Sequence, residues 1–542
     1  MKFVNMQVLL SCILLLLAFA ANAELATNNQ AEKLYREGVL PSGQPLIATR
    51  ENGINIEGVG AACVSCHRRS GLGTQEGRYV IPPIIGKYLF KSAEKNLEDM
   101  NLPHVSGYRS NRNGYTDVTL ARAIRDGIDA DGKQLNYLMP RFKLDDATMT
   151  MLISYLKGLT SSTVPGVTDD TLHFATIITS DADHIKRDGM LEVLNQFFVD
   201  KNSFIRGGNK PMRASKEVMY RVTRKWQLHV WELTGSPETW NQQLKAKLAA
   251  EPVYAVISGL GGKTWAPIHQ FCEQTNLPCL FPNIDVPVVA ENDFYPLYFS
   301  KGVFLEAELI SHQLAKNESN SHIKRVVQVF REGDIGEVAA KTMSPLLMSA
   351  RQESVNVTLK TNEPSKELFQ IFQNIGAEDA LVLWLRPEDI AMLPNYRFKT
   401  DEVYFSGLMA GLEKSPIPAT WYTQAKMAYP FDLPEMRKVR MNFPLTWLKI
   451  KHIPIVDERI QSDTYLACGI LAETLNEMLD SFVRDYLIER VEVMLSRRVI
   501  TGYYPRLGLA PEQRFATKGG YIVHFTGQNG GQLVKDTDWV AP

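Results

Sequence analysis

The spacing of apolar side chains predicts helices in the first part of this chain. One such stretch follows the i, i+3, i+4, i+7 rule of a buried helical face, with apolar positions Met149, Leu152, Ile153 and Leu156. Asp145 stands before it as an N-cap, and Gly158 follows it as a stop. A second helix is expected after Thr116 or Asp117 with Gly127 at its end, and a third over residues 30–37.

The pattern changes beyond the polar segment 160–170, where short apolar strands alternate with helical stretches. Alternation of this kind indicates parallel sheets with helices on both faces. This part is longer than a single doubly wound domain usually is, so two lobes are expected. The predicted strands are 172–178, 228–233, 253–257, 326–330, 380–385 and 403–405.

The N-terminus indicates export. Lys2 precedes an apolar run over 8–20, and the small residues Ala21-Asn22-Ala23 follow, which predicts a signal peptide over 1–23. Lipidation at Cys12 is an alternative. The run is too short to span a bilayer, and no later apolar stretch of about twenty residues occurs. We therefore expect a periplasmic protein with no stable membrane insertion.

The charge balance excludes one class of partner. The 542 residues include 59 basic and 60 acidic side chains, so no net basic character calls for nucleic acid. No serine, cysteine or carboxylate constellation indicates catalysis, which favours a protein that carries or binds over an enzyme.

Cys63-Val64-Ser65-Cys66-His67 is the CxxCH pattern that covalent haem c attachment requires. The thiols of Cys63 and Cys66 would bond the haem, and His67 would be an axial iron ligand. The alternatives are a redox CxxC pair, half of a zinc site, or chance. Glycines flank the motif where a redox pair would need a strand and a helix, and the other mature cysteines lie far along the chain.

Met139 is the candidate for the second axial position. A thioether raises the reduction potential of haem iron, and Pro140 would stiffen the loop that holds it. Met100 and His104 are alternatives in less rigid contexts.

The first domain resembles a class I bacterial cytochrome c in the order and spacing of its motifs. The residues that carry the resemblance are CxxCH, Pro82-Pro83, the stretch from Leu120 to Gly127, Asp131-Gly132 and Met139-Pro140. The resemblance implies an all-α monohaem domain with one covalent haem c. It also implies that the carbonyl of Pro82 or Pro83 accepts a hydrogen bond from His67.

The second domain resembles type I periplasmic solute-binding proteins, the branched-chain amino acid receptor class. The resemblance rests on Val256-Ile257-Ser258-Gly259, Leu277 to Pro282, the helix after Gly302, Tyr504-Pro505-Arg506-Leu507 and Gly519-Gly520-Tyr521. It implies a two-lobed α/β domain that closes over a small ligand. The predicted domains are then 24–159 and 171–542, joined by the linker 160–170.

Two segments after predicted strands are the candidate ligand site. Glycines allow close approach of backbone donors, and Lys263 could meet a carboxylate. The alternative is that the glycines only turn the chain, and the serine- and threonine-rich loops of amino acid receptors are not evident. The candidates are Ser258, Gly259, Gly261, Gly262, Lys263, Thr264, Asn283 and Asp285.

Cys272 and Cys279 could form a disulfide, because a helix end turning into a strand could bring them within bonding distance in an oxidising compartment. Two buried thiols are the alternative.

The first function expected is a periplasmic electron carrier, with a redox partner protein and a second domain that docks a partner or binds a small ligand. The alternative is a periplasmic solute receptor, for an amino acid or amide, whose haem reports on binding. A further alternative is a haem enzyme such as a peroxidase, which would need an open iron position.

Overall fold

The structure is a computed structural model, and it forms two compact units. The first comprises Met1–Val164 and Glu477–Glu489, and the second comprises Pro165–Asn476 and Arg490–Pro542. The predicted signal peptide and the alternative ligands Met100 and His104 lie outside the described residues. Those residues are 27–76, 79–91, 112–159, 163–206, 224–290, 292–316, 323–360, 364–478, 481–498, 502–510, 513–526 and 531–542.

Helices build most of the first unit's core, and their ends follow the capping signals. Thr116 caps one helix through the backbone of Thr119, and Gly127 ends it in the left-handed conformation that glycine tolerates, with φ +70°. Asp145 caps the next helix through Thr148. The helices are α1 (27–37), α2 (Val64–His67), α3 (Gly86–Leu89), α4 (Asp117–Asp126) and α5 (Asp146–Gly158).

The first unit also contains strands, so the prediction of an all-α domain was wrong. Two small antiparallel sheets are present, with strand orders β2-β1-β5 and β3-β4. Their strands are only two or three residues long, which is too short to leave a period-two pattern in the sequence. They are β1 (Ile47–Thr49), β2 (Asn55–Glu57), β3 (Thr74–Glu76), β4 (Tyr79–Ile81) and β5 (Arg141–Phe142).

The units also differ from the predicted domains 24–159 and 171–542, because 477–489 belongs with the first unit. Within that unit, Arg36 forms an ion pair with Asp485 at 3.2 Å. The carboxylate of Glu489 accepts hydrogen bonds from the backbone and side chain of Ser70, at 2.9 and 2.6 Å. A pattern of local periodicity cannot show contacts between residues so far apart in the chain.

The first lobe of the second unit is a parallel five-stranded sheet with strand order β10-β9-β8-β6-β7. Its buried cluster includes Ile177, Trp231, Val256 and Phe271. The elements are β6 (Thr171–Ile178), α6 (His184–Arg206), β7 (Lys225–Glu232), α7 (Pro237–Ala250), β8 (Ala255–Ile257), α8 (Ala266–Gln274), β9 (Cys279–Leu280) and β10 (Pro296–Leu297).

The second lobe is a seven-stranded sheet with strand order β12-β11-β13-β14-β15-β16-β17. Five strands are parallel, and β16 and β17 add an antiparallel edge. The elements are α9 (Val303–Lys316), β11 (Arg325–Arg331), α10 (Ile335–Ser349), β12 (Glu353–Leu359), α11 (Pro364–Gln373), β13 (Asp379–Trp384), α12 (Pro387–Ile390), β14 (Val403–Ser406), α13 (Gly407–Ala410), β15 (Ala425–Tyr429), β16 (Tyr521–Phe525) and β17 (Leu533–Lys535).

Three further helices complete the C-terminal part of the chain: α14 (Pro434–Ile450), α15 (Glu458–Met478) and α16 (Arg484–Arg497). The two-lobed α/β architecture predicted from the alternating pattern is confirmed, with the antiparallel edge as the difference. Among the described residues, no helix combines the length and the apolar character needed to cross a membrane.

Candidate functional site

A cavity that is partly open to solvent lies in the second unit. Most of its wall follows the carboxyl ends of β9, β10, β14 and β15, so strands of both lobes contribute. This is where open α/β folds bind ligands. The lining residues are Pro282, Asn283, Ile284, Asp285, Tyr298, Phe299, Ser300, Gly302, Leu408, Phe431, Arg459, Asp463 and Tyr504.

An ion pair crosses the wall of this cavity. Arg459, in the first turn of α15, donates to Asp285 Oδ1 at 3.1 Å, and its guanidinium lies 6.0 Å from the centre of the Phe431 ring. Burial lowers the pKa of Arg459, but the carboxylates of Asp285, Asp457 and Asp463 outweigh this effect and raise it above its ordinary value. Arg459 is therefore a permanent cation surrounded by acids.

Asp463 is the least satisfied polar group in the wall. Its side chain is only 2 % exposed, Oδ2 accepts a hydrogen bond from the Tyr504 hydroxyl at 3.1 Å, and Oδ1 has no hydrogen-bond partner among the described residues. Burial raises the pKa of Asp463 to about 7, against the opposing effects of Arg459 and Tyr504. A buried oxygen without a donor costs free energy that a ligand could recover.

Asn283 joins the cavity wall to two neighbouring elements. Its amide nitrogen donates to Ser258 Oγ at 3.0 Å, to Thr464 Oγ1 at 3.2 Å and to the Gly259 carbonyl at 3.3 Å. Thr464 is the neighbour of Asp463 on α15. These bonds fix the start of α15 against the chain ends of β8 and β9, which positions Asp463 and Arg459.

Glu306 lies fully buried behind the wall. It accepts hydrogen bonds from Ser406 Oγ and, at 2.8 Å, from the backbone of Leu408, which lines the cavity. Burial raises the pKa of Glu306 to about 8, although these hydrogen bonds oppose the rise. One protonatable acid, Asp463, therefore lies in the cavity wall, and a second, Glu306, lies behind it.

The structure separates the predicted ligand residues into two groups. Asn283 and Asp285 line the cavity, whereas the segment from Ser258 to Thr264 does not. Ser258 is bonded to Asn283, and the backbone nitrogens of Gly262 and Lys263 donate to Thr179 Oγ1 and Asp181 Oδ2 at 3.2 and 2.8 Å.

Packing explains the glycines of that segment and the place of Thr264. A Cβ at Gly259 or Gly261 would come within 3.0 Å of the Trp265 ring. Gly259 also has φ +128°, which L side chains rarely adopt. Thr264 accepts a hydrogen bond from the backbone of Ala266 at 3.3 Å. The segment turns the chain before α8.

Arg459, Asp463, Phe431 and Ser300 line the cavity but were not among the predicted ligand residues. One signal was present for Asp463. It is a lone acid within the otherwise uncharged stretch from Ile460 to Ile470, and an acid in such a stretch indicates a buried polar contact.

Cys272 and Cys279 form a disulfide, with Cα atoms 6.2 Å apart. The bond joins α8 to β9, the strand that leads into the cavity wall at Pro282. Cys468 is a buried free thiol.

In the first unit, the four predicted haem residues lie in different surroundings. His67 is buried, and its Nδ1 donates to the Pro82 carbonyl at 2.9 Å, so of the two prolines it is Pro82 that orients the ring. Burial lowers the pKa of His67, which favours a neutral ring with Nε2 as its acceptor atom. Cys63 and Met139 pack against the same hydrophobic cluster, and Cys66 is exposed.

A tyrosine pair joins the strand before Pro82 to the loop before Met139. The hydroxyls of Tyr79 and Tyr137 are 3.1 Å apart, and their rings meet edge to face at 6.5 Å. Both rings, and Leu138 beside them, are exposed. These exposed side chains, close to Met139 in the chain, are surface that a haem could cover.

Comparison with known proteins gives a fold likeness only. No protein-family model and no curated protein sequence matches the chain. Among solved structures, it is similar to a fatty acid ABC transporter substrate-binding protein from Thermomonospora curvata, at 16% identity and TM-score 0.48, covering 70% of this chain and 95% of that one.

Two other similar structures are of the same kind. A leucine-binding protein from Thermotoga maritima is 12% identical, with TM-score 0.44, and the similarity covers 68% of this chain and 99% of that one. A branched-chain amino acid transporter substrate-binding protein from Streptococcus pneumoniae, in complex with isoleucine, is 9% identical, with TM-score 0.45 and coverage of 69% and 100%. Similarity this low concerns fold and does not establish what this chain binds.

The first function expected from the sequence finds no counterpart among these structures. The names of all three describe proteins that bind a transported substrate or leucine. In the part of the chain that the structure describes, no group of three or more His, Cys, Asp or Glu side chains is arranged to hold a metal ion. The electron carrier expected first was wrong, and these comparisons give no support for a cytochrome in the first unit. The solute receptor, which was the alternative, agrees with the fold.

Proposed function

We propose that this protein is a periplasmic receptor that binds a small solute in the cavity of its second unit. The observation that carries the proposal is the unpartnered Oδ1 of Asp463, buried in a wall that strand ends of both lobes complete. A structural cavity would gain stability from an apolar residue at this position, whereas a binding site needs a polar group whose partner arrives with the ligand.

The composition of the cavity wall suits the binding of one small molecule. The rings of Tyr298, Phe299, Phe431 and Tyr504 line the cavity, and a few fixed polar groups, Asn283, Asp285, Arg459 and Asp463, would supply orientation. The two-lobed fold gives such a site a means of closing over its ligand. A receptor of this kind would pass its solute to an importer or report it to a sensor.

A thermal-shift screen of small periplasmic solutes against the full-length protein tests the proposal. A solute that binds only the folded state raises the unfolding temperature, and the rise grows with the solute concentration relative to its Kd. We expect at least one solute to do so, and we expect Asp463→Asn to abolish the shift. The control is Asp538→Asn, which makes the same change at a side chain that is 91% exposed. The absence of any shift, or equal shifts in both variants, would contradict the proposal.

We also propose that haem c is attached at Cys63 and Cys66, with His67 and Met139 as the residues that would hold its iron. Support comes from the hydrogen bond between His67 and Pro82, and from the tyrosine pair beside Met139. A bound haem supplies an iron that changes oxidation state by one electron, which suits a redox reporter on a receptor. The protein's own contribution is to orient the His67 ring and bury it.

Covalent attachment has a direct readout. Protein produced in a periplasm with haem-attachment machinery should retain haem on a denaturing gel, and Cys63→Ser with Cys66→Ser should remove it. Cys468→Ser, which changes a cysteine outside the motif, should leave the signal unchanged. A wild-type protein without haem on the gel would refute the attachment and leave the receptor proposal intact.

A further inference from the structure

The charges that line the cavity do not balance. Asp285, Asp463 and Arg459 are its charged side chains, and the only hydrogen bond recorded between two of them is that of Arg459 to Asp285 at 3.1 Å. Asp457, within electrostatic range of Arg459, has its own ion pair with Lys186 at 3.5 Å. Asp463 lines the cavity without an ion-pair partner among the described residues, although Arg459 and Arg437 act on it electrostatically.

The carboxyl of Asp463, which has no ion-pair partner in the described part of the chain, favours a particular head group on the ligand. In its ionised form, Asp463 Oδ1 can only be satisfied by a donor, and a donor that carries positive charge forms the stronger hydrogen bond with a carboxylate. A ligand carboxylate would instead meet Asp463 and Asp285 as like charges. The charge of the Arg459 guanidinium, which could attract such an anion, is partly offset by its ion pair with Asp285.

The rings on the wall suit the same ligand. Tyr504 stacks on Phe299 with ring centres 5.3 Å apart and leans on Phe431 at 5.5 Å. Faces of aromatic rings attract cations and pack against apolar groups. Tyr504 also donates to Asp463 Oδ2, so the aromatic wall and the carboxylate are held together.

We propose that the solute is a compact organic ammonium: a protonated primary or secondary amine on an apolar body, with its N–H directed at Asp463 Oδ1 and its body against Phe299, Phe431 and Tyr504. This inference rests on the proposed receptor function and names the chemical class of its ligand.

Three probes that share one ring and differ in the head group test the class. Benzylamine, benzyl alcohol and benzoate are titrated by calorimetry into the full-length protein at about pH 8, where the amine is protonated and most of Asp463 is ionised. We expect benzylamine to bind about ten-fold or more tightly than benzyl alcohol, and benzoate to bind most weakly.

Single-residue variants test whether the preference for the amine depends on Asp463. Asp463→Asn should remove the preference for the amine over the alcohol, because the amide keeps the shape and loses the charge. Asp538→Asn should retain the preference. Tyr504→Phe keeps the ring and removes only the hydroxyl bonded to Oδ2, so the preference should persist. If Asp463→Asn does not fold, the order of the three probes on the wild-type protein decides alone.

The inference is overturned if benzyl alcohol or benzoate binds as tightly as benzylamine, or if benzylamine does not bind. These failures differ from failure of the receptor itself. A non-amine solute that stabilises the protein and depends on Asp463 would refute the ammonium class and support the receptor. If no solute binds at all, both proposals fail.

Discussion

Arg459 and Asp285 form an ion pair at 3.1 Å although 174 residues separate them in the chain. The pair ties the first turn of α15 to the segment that follows β9, and both residues line the cavity. Their side chains are 16% and 24% exposed, so solvent screens the pair only in part. The contact is a structural support of the proposed binding site.

A double-mutant cycle measures how much the ion pair contributes to the free energy of unfolding. Arg459→Gln and Asp285→Asn should each lower the free energy of unfolding, because each leaves a partly buried charge without its partner. The two changes should cost less together than the sum of the single changes, with a coupling of about 1–3 kcal/mol by urea denaturation. Additive effects would show that the pair contributes nothing to stability.

Glu306 should make stability depend on pH. Burial raises its pKa to about 8, whereas an unfolded glutamate titrates near its ordinary value. Between these values the folded state holds a proton that the unfolded state has lost, so the free energy of unfolding falls as pH rises from about 4.5 to about 8.

Glu306→Gln should remove this part of the pH dependence. The amide can still accept from Leu408 and stay uncharged at every pH. Relative to the wild type, the variant should gain on the order of 1–3 kcal/mol of unfolding free energy between about pH 5 and pH 8.5, measured in urea. The exposed Glu388 provides the control, since Glu388→Gln should leave the pH profile unchanged. Equal profiles for wild type and Glu306→Gln would rule out the buried acid as the cause.

Reducing the disulfide should destabilise the second unit. Cys272 and Cys279 are seven residues apart, and closing a loop of that size is worth about 2–3 kcal/mol. Reductant should lower the urea midpoint of the wild type by a corresponding amount. The double variant Cys272→Ala with Cys279→Ala should start from a lower midpoint and not respond to reductant. A response in the double variant would assign the effect to something other than this bond.

The bond between Ser70 and Glu489 should stabilise the loop that follows the CxxCH motif. Glu489 is buried, and burial raises its pKa to about 7. Glu489→Ala should leave the Ser70 donors without their acceptor, at a cost of about 1–3 kcal/mol, and speed amide hydrogen exchange in the segment 68–72. Glu489→Gln, which keeps an acceptor for the Ser70 backbone, should lose less. Unchanged exchange in Glu489→Ala would show that the loop is held by other contacts.

Local patterns in the sequence predicted the elements of this fold well. The six strands expected in the second unit are present as β6, β7, β8, β11, β13 and β14, because each is an apolar run within a parallel sheet. The caps at Thr116 and Asp145 are where the side-chain chemistry predicts them. The short strands of the first unit, the antiparallel edge β16–β17 and four parallel strands of the second unit, β9, β10, β12 and β15, were missed. Most of these are too short to carry a periodic signal.

The cavity was only partly predictable. Asn283 and Asp285 could be proposed because they directly follow a strand, a local property of the chain. Arg459 and Asp463 lie on a helix whose contact with that segment depends on how distant parts of the chain pack. Phe431 and Tyr504 come from still other segments, and no spacing in the sequence relates them to one another.

The central claim is that a small solute binds beside Asp463, and calorimetric titration tests it most directly. The solute that stabilises the wild-type protein most in the thermal screen is titrated into wild type, Asp463→Asn and Asp538→Asn. The account predicts saturable binding of one solute per chain to the wild type and Asp538→Asn, and a loss of affinity of about ten-fold or more in Asp463→Asn. Equal affinity of all three proteins would contradict it.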